Sequence, residues 1–314
     1  MTDTARTATR PHHLSAAEWR AVLRRVGGRV VVDRLPLLSA GIAFFAVLSI
    51  APVLMTALSV YGAVNTPEQA LAQLSGIAGM LPAALEGVVG DQLTTITAAS
   101  TQVLTRRGLA GLLLALWTAT VAATSLIEAI TVAYHETETR SFLHRTGLGL
   151  GMVLGGALLL GAVIAAAGVV SRAVGGSPGA VRTVGLAVVW LGLALLMAAA
   201  LAVLYRWAPD RRPARWHWIS WGAVGATLLW LAASVGLFAY VQSLGTYEST
   251  YGSLAGVAIS MLWLWISVFL VVVGAAINAE AERQTVHDST VGPDRPVGRR
   301  GAVVADSVPP YPGD

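Results

Sequence analysis

Six stretches of this chain hold no Asp, Glu, Lys or Arg: 35–67, 108–127, 146–171, 183–205, 216–247 and 249–279. Each is mostly apolar and reaches the roughly 20 residues that an α-helix needs to cross a bilayer. The pattern predicts six transmembrane helices, at about 35–62, 108–134, 147–170, 183–205, 219–242 and 252–279. An outer-membrane barrel would instead show alternating segments of about ten residues. The fold class expected is therefore all-α, a polytopic membrane domain over 35–280.

Shorter amphipathic patterns flank and interrupt these runs. Ser15-Ala16-Ala17-Glu18 has the form of a capping box that opens a helix. Behind it Trp19, Val22, Leu23, Val26 and Val30 form an apolar stripe, with Arg20, Arg24, Arg25 and Arg29 around the rest of the circumference. The tail 1–34 thus carries a basic amphipathic helix. It can lie on an anionic leaflet or pack on the protein itself, and the adjacent Gly27-Gly28 favours neither. Between the first two spans, Thr66-Pro67-Glu68 is a helix start, helical spacing follows from Leu71 to Val89, and Pro82 interrupts it. A helical insert over 66–105, outside the membrane, is expected. The tail 281–314 is rich in Pro, Gly and Asp, ends near Pro309-Pro310-Tyr311-Pro312, and reads as disordered.

Composition sharpens this picture. The chain is 55% hydrophobic and 12% charged, with a mean hydropathy of +0.66, whereas soluble domains carry about 25% charge. A soluble enzyme is excluded. There is no Cys, hence no disulfide or thiolate chemistry. All 21 basic residues are Arg, and their placement decides what the net charge of +4 means. With both termini cytoplasmic, 17 Arg lie inside and 4 outside, as the positive-inside rule requires. The basic surplus is then a topological signal, and nucleic acid is not an expected partner. The first span starts after some 35 polar residues and is too long for a cleaved signal, so it is expected to act as an anchor.

Polar residues inside the spans are the candidates for function. In the first span Ser49, Pro52, Thr56 and Ser59 share a face, and Pro52 is expected to kink the helix. In the second, Trp117, Thr120, Thr124, Glu128, Thr131 and His135 fall within about 80° of arc. Glu128 lies about 9 Å from the cytoplasmic end. An intramembrane carboxylate points to function, but one so near a helix end can also reach interfacial water or an Arg. Gly147, Gly151 and Gly155 in the third span permit close helix approach. The loop 206–218 mixes Arg with Trp, as membrane interfaces do. In the sixth, Gly252, Gly256, Ser260, Trp263, Ser267, Gly274 and Asn278 form a seam of small and polar positions, which marks the second and sixth spans as inner helices.

Several of these motifs occur together in one family. Asp33 with Leu38-Ser39-Ala40-Gly41-Ile42-Ala43-Phe44-Phe45-Ala46-Val47-Leu48-Ser49-Ile50-Ala51-Pro52 resembles the first-span signature of the YihY/virulence factor BrkB family of bacterial inner-membrane proteins. So do Leu116-Trp117-Thr118-Ala119, Ala133-Tyr134 with Glu138-Thr139-Arg140, and Tyr251-Gly252-Ser253-Leu254-Ala255-Gly256 running on to Trp263 and Gly274-Ala275. The resemblance covers about Asp33 to Glu280 and implies six spans with cytoplasmic termini. The family commonly closes with Gly-Ala-Glu-Leu-Asn-Ala; here Ala276 replaces the Glu, and Thr131 stands where an Asn is often found. Envelope integrity and lipid transport are the roles the resemblance implies, while an older ribonuclease label is disfavoured. No acid cluster, His pair in a span or phosphate-cradling loop supports an enzyme.

Two functions fit these features. One is a transporter or flippase for a lipid-like amphiphile, with a polar cavity between the first, second and sixth spans. Its expected contacts are Glu128, Thr124, Thr131, Tyr134, Arg140, Ser49, Tyr251, Ser253 and Asn278, with Arg140 or Arg145 at an anionic headgroup on the cytoplasmic face. Pro52, Gly252, Gly256 and Gly274 are assigned to packing and kinking. The other is a non-transporting membrane scaffold in which the same faces are helix contacts. No cofactor or metal is expected; membrane lipids are the expected partners, and the pattern is compatible with a homo-oligomer.

Overall fold

The structure, a computed structural model, describes residues 10–64, 101–174, 179–243 and 253–307. Those residues are mostly helical and contain no β-strand. The long helices are α1 (Ala16–Val32), α2 (Leu35–Val64), α3 (Thr101–Ala133), α4 (Phe142–Val174), α5 (Gly179–Trp207), α6 (Trp216–Ser243) and α7 (Ser253–Glu282). A single turn, α8 (Val303–Asp306), follows. Five helices are long and apolar enough to cross a membrane, or six when α1 and the start of α2, bent by 64° to each other, count as one span. Several helices extend past the apolar run that marks them, because Arg- and His-bearing turns continue the helix beyond the hydrocarbon. The expected insert falls mostly at 65–100 and the Pro-rich end at 308–314, both outside the described residues.

α1 opens with the capping box: Ser15 Oγ accepts from the Glu18 N–H, and the Glu18 carboxylate accepts from the Ser15 N–H. Glu18, Ala21, Val22 and Val26 are buried, and Trp19 packs on Trp221 of α6. The helix therefore lies against the protein's own bundle, chiefly along α7. Leu23 stays exposed. The bend into α2 falls at Asp33 and Arg34, where Arg34 holds the left-handed φ of +52° that normally favours Gly. Trp265 of α7 donates to Pro36 O at 2.9 Å and secures the start of α2.

α7 is the hub, touching α1, α2, α3 and α6, while α4 sits at the edge against α3 and α5. Burial concentrates at one end of the bundle, around Ile127, Ile130, Tyr134, Tyr205, Ile219, Val272, Ala275 and Ala279. Leu113, Leu158, Leu160, Leu195 and Phe238, farther along the spans, are exposed, as lipid-facing side chains are in a fold whose solvent is hydrocarbon.

Two packing expectations change. Gly147, Gly151 and Gly155 face open space, and Gly149 makes the close approach: a Cβ there would stand 2.7 Å from the Thr124 methyl of α3. The sixth-span seam faces α6. Trp230 donates to Ser267 at 2.9 Å, Gly222 N–H donates to Asn278 Oδ1 at 2.7 Å, and any Cβ on Gly222 or Gly274 would collide with the facing backbone.

The tail expected to be disordered is ordered through Ser307 and lies on the bundle end. Arg215 N–H donates to Ser289 O and Val291 N–H to Pro213 O, which lays the segment along the α5–α6 loop. Arg300, 4% exposed, gathers the carbonyls of Val286, His287, Arg295 and Ala305. Low apolar content argues against a hydrophobic core in such a segment, but here hydrogen bonds to a buried guanidinium hold the chain instead.

Candidate functional site

The end of the bundle where α1 and the C-terminal segment meet holds two neighbouring charged groups. The first is buried. Glu280 and Glu282, two positions apart at the end of α7, are each 1% exposed. Glu280 accepts from Arg25 of α1 at 2.7 Å, from Arg283 at 3.1 Å, and pairs with His135 Nε2 at 2.9 Å. His135 follows α3 with a left-handed φ of +61°, at the position that usually takes Gly. That conformation turns its ring back between Glu280 and Arg29. Glu282 takes both ends of the Arg211 guanidinium, Nη1 at 3.0 Å, and Arg211 also covers the Tyr134 ring. Removing water raises the cost of each unpaired charge here, so these pairs bind α1, α3, the α5–α6 loop and α7 into one unit.

The second group borders a cavity of about 480 Å³ between the end of α3, the α3–α4 loop and the start of α4. Its lining includes Glu128, Thr131, Glu136, Glu138, Arg140 and Arg145. Arg140 is committed: Nε reaches Glu138 at 2.7 Å, Nη2 reaches Ala208 O at 2.7 Å, and Asp210 is 3.7 Å away. Burial pushes the Asp210 carboxyl up, but donation from the Thr139 hydroxyl and N–H and the charge of Arg140 outweigh it and hold it below the usual carboxylate range. Burial raises Glu136, despite the Val303 N–H on its Oε1. Glu128 and Arg145 are joined only loosely, at 3.5 Å, and remain 56% and 30% exposed.

The structure thus divides the expected contacts. Glu128, Thr131 and Arg140 line this cavity. Tyr134 and Asn278 are buried beside each other, yet neither the Tyr134 hydroxyl nor Asn278 Nδ2 completes a well-formed hydrogen bond. Ser49 and Thr124 return their hydroxyls to carbonyls of their own helices. Pro52 lies within a continuous α2, Gly256 lies in α7, and Tyr251, Gly252 and the Ser253 side chain fall outside the described residues. Sequence reasoning missed Arg211, read as part of an interfacial Arg/Trp belt, and the acids at 280 and 282. An isolated acid pair ending an apolar span opposite an Arg-rich loop was the available signal.

Five to six apolar helices, a charged end and exposed apolar flanks define a multi-pass α-helical membrane protein. The sequence model of the family described as Virulence factor BrkB matches residues 26–298, and the chain belongs to that family. A UPF0761 membrane protein of Verminephrobacter eiseniae is 26% identical over 272 residues, 85% of this chain and 63% of that protein. A UPF0761 membrane protein of Tolumonas auensis is 39% identical over 85 residues, 27% of this chain and 28% of its own length. The ribonuclease-like protein YfkH of Bacillus subtilis is 28% identical over 178 residues, 54% of this chain and 63% of that protein. The chain spans less than two thirds of the length of these relatives. No solved structure matches it.

Proposed function

We propose that this protein carries a lipid-like amphiphile between leaflets and thereby contributes to the integrity of the cell envelope, with both termini in the cytoplasm. The observation that supports this reading is the cavity of about 480 Å³ beside Glu128. It lies where α3 leaves and α4 enters the apolar span, with exposed Phe142 and Leu143 next to exposed charge. A headgroup and the root of an acyl chain need that pairing at one depth. The ribonuclease-like name belongs to the relative that bears it, and the activity proposed here is transport, not catalysis. In liposomes containing the pure protein, fluorescent phospholipid is expected to change leaflet faster than in empty vesicles. Unchanged transfer, with Glu128→Ala equally inert, would refute the proposal.

The scaffold reading is favoured by a different observation. The α6–α7 seam is closed, with Ala223, Ala226, Ala275 and Ala276 each at most 1% exposed, so polar faces there serve packing. A pull-down of a membrane partner that survives loss of the Glu128 carboxylate, without any lipid transfer, is the outcome that reading expects.

A further inference from the structure

We infer that the cavity between α3 and α4 selects amphiphiles whose headgroup joins a primary ammonium to a phosphate, as a phosphoethanolamine lipid does; the inference rests on the carrier reading above. Its lining is amphoteric and ordered in space. The carboxylates Glu128 and Glu136 belong to the end of α3 and the turn after it, and Arg145 to the first turn of α4. The helix dipoles reinforce this separation. A helix C-terminus favours a cation and an N-terminus favours an anion, so the acid side is doubly suited to an ammonium and the Arg side to a phosphate. A purely anionic lipid would meet three carboxylates against two guanidiniums, and one of those guanidiniums, Arg140, is already held by Glu138 and Ala208.

One further feature points to a lipid instead of a soluble metabolite, and a second shows that the site can take up its charges. Phe142, in the lining, is 73% exposed, and its neighbour Leu143 is 80% exposed, beside the boundary where the apolar spans of α3 and α4 end. Glu128 and Arg145 retain free hydrogen-bonding capacity because their mutual contact is long and both are open to solvent. A ligand with both charges replaces that weak pair with two charge-assisted contacts.

The full chain in vesicles tests this with tail-labelled phosphatidylethanolamine and phosphatidylglycerol, following transfer between leaflets and, separately, lipid retained on the detergent-extracted protein by native mass spectrometry. Phosphatidylethanolamine is expected to be retained and moved about tenfold better, the low end for one hydrogen bond to a charged group. Glu128→Gln is expected to remove the preference, and Arg145→Gln to lower both lipids alike. Both side chains are partly exposed, so unchanged thermal unfolding will show that the variants fold. Equal retention and transfer of the two lipids overturns the headgroup inference and leaves the carrier standing. Selective retention with no transfer keeps the inference and removes the carrier. Displacement by free phosphoethanolamine as readily as by lipid makes the ligand soluble and overturns the inference.

Discussion

Glu282 and Arg211 are each 1% exposed and face one another through two hydrogen bonds. A lone charge left there would be far from water, so breaking the pair is expected to cost about 3–5 kcal/mol. Arg211→Ala should therefore lower the thermal midpoint in detergent by many degrees, and a Glu282→Gln change should do nearly as much. Arg145→Ala, with a 30% exposed side chain, should leave the midpoint within experimental scatter. The glycines separate in the same way. Gly274→Val puts atoms into the Ala226 methyl and the Gly222 carbonyl and is expected to destabilise by about 1–3 kcal/mol or more. Gly151 has nothing within 4 Å, so Gly151→Ala should be neutral or stabilising by up to about 1 kcal/mol. Parallel unfolding curves of the two variants check the contrast.

At the scale of elements, the C-terminal segment is the least expected structure. It is held by side chains that collect backbone groups: Arg300 on four carbonyls, and Asp288 on the N–H groups of Thr290 and Arg295. Burial pushes the Asp288 carboxyl up, and those donors, with the Thr290 hydroxyl, outweigh it and hold it below its usual range. A carboxyl lowered by folding stabilises above its unfolded pKa, and that contribution fades as pH falls through the lowered folded value. Limited proteolysis between 283 and 307 is therefore expected to accelerate on acidification below the ordinary carboxylate range. Arg300→Ala should bring the same cleavage at neutral pH while the membrane helices stay resistant.

For the whole molecule, sidedness is open to a direct labelling test. The chain has no Cys, so single cysteines report position without background. With both termini cytoplasmic, Cys at exposed Val297 and Leu23 should react with an impermeant maleimide only from the cytoplasmic side, and Cys at exposed Arg106 only from the other. Labelling of Val297→Cys from outside in intact cells would reverse the topology and with it the placement of the Glu128 cavity.

The all-α, multi-pass character, five to six apolar helices, and the capping box at Ser15 and Glu18 were legible along the chain, because each depends on local composition: hydrocarbon thickness sets how long an uncharged run must be, and a cap needs residues only three apart. The shared face of Ser267, Gly274 and Asn278 was legible too, since helical period places it. Which helix that face meets was not, and neither was the choice of Gly149 over Gly147, Gly151 and Gly155 as the close contact. A periodic pattern states which residues point together; only the packed bundle states what they point at. The same holds for charge. Arg25 and His135 with Glu280, and separately Arg211 with Glu282, lie up to 255 positions apart in sequence, and each set becomes a hydrogen-bonded cluster only when folding brings it together.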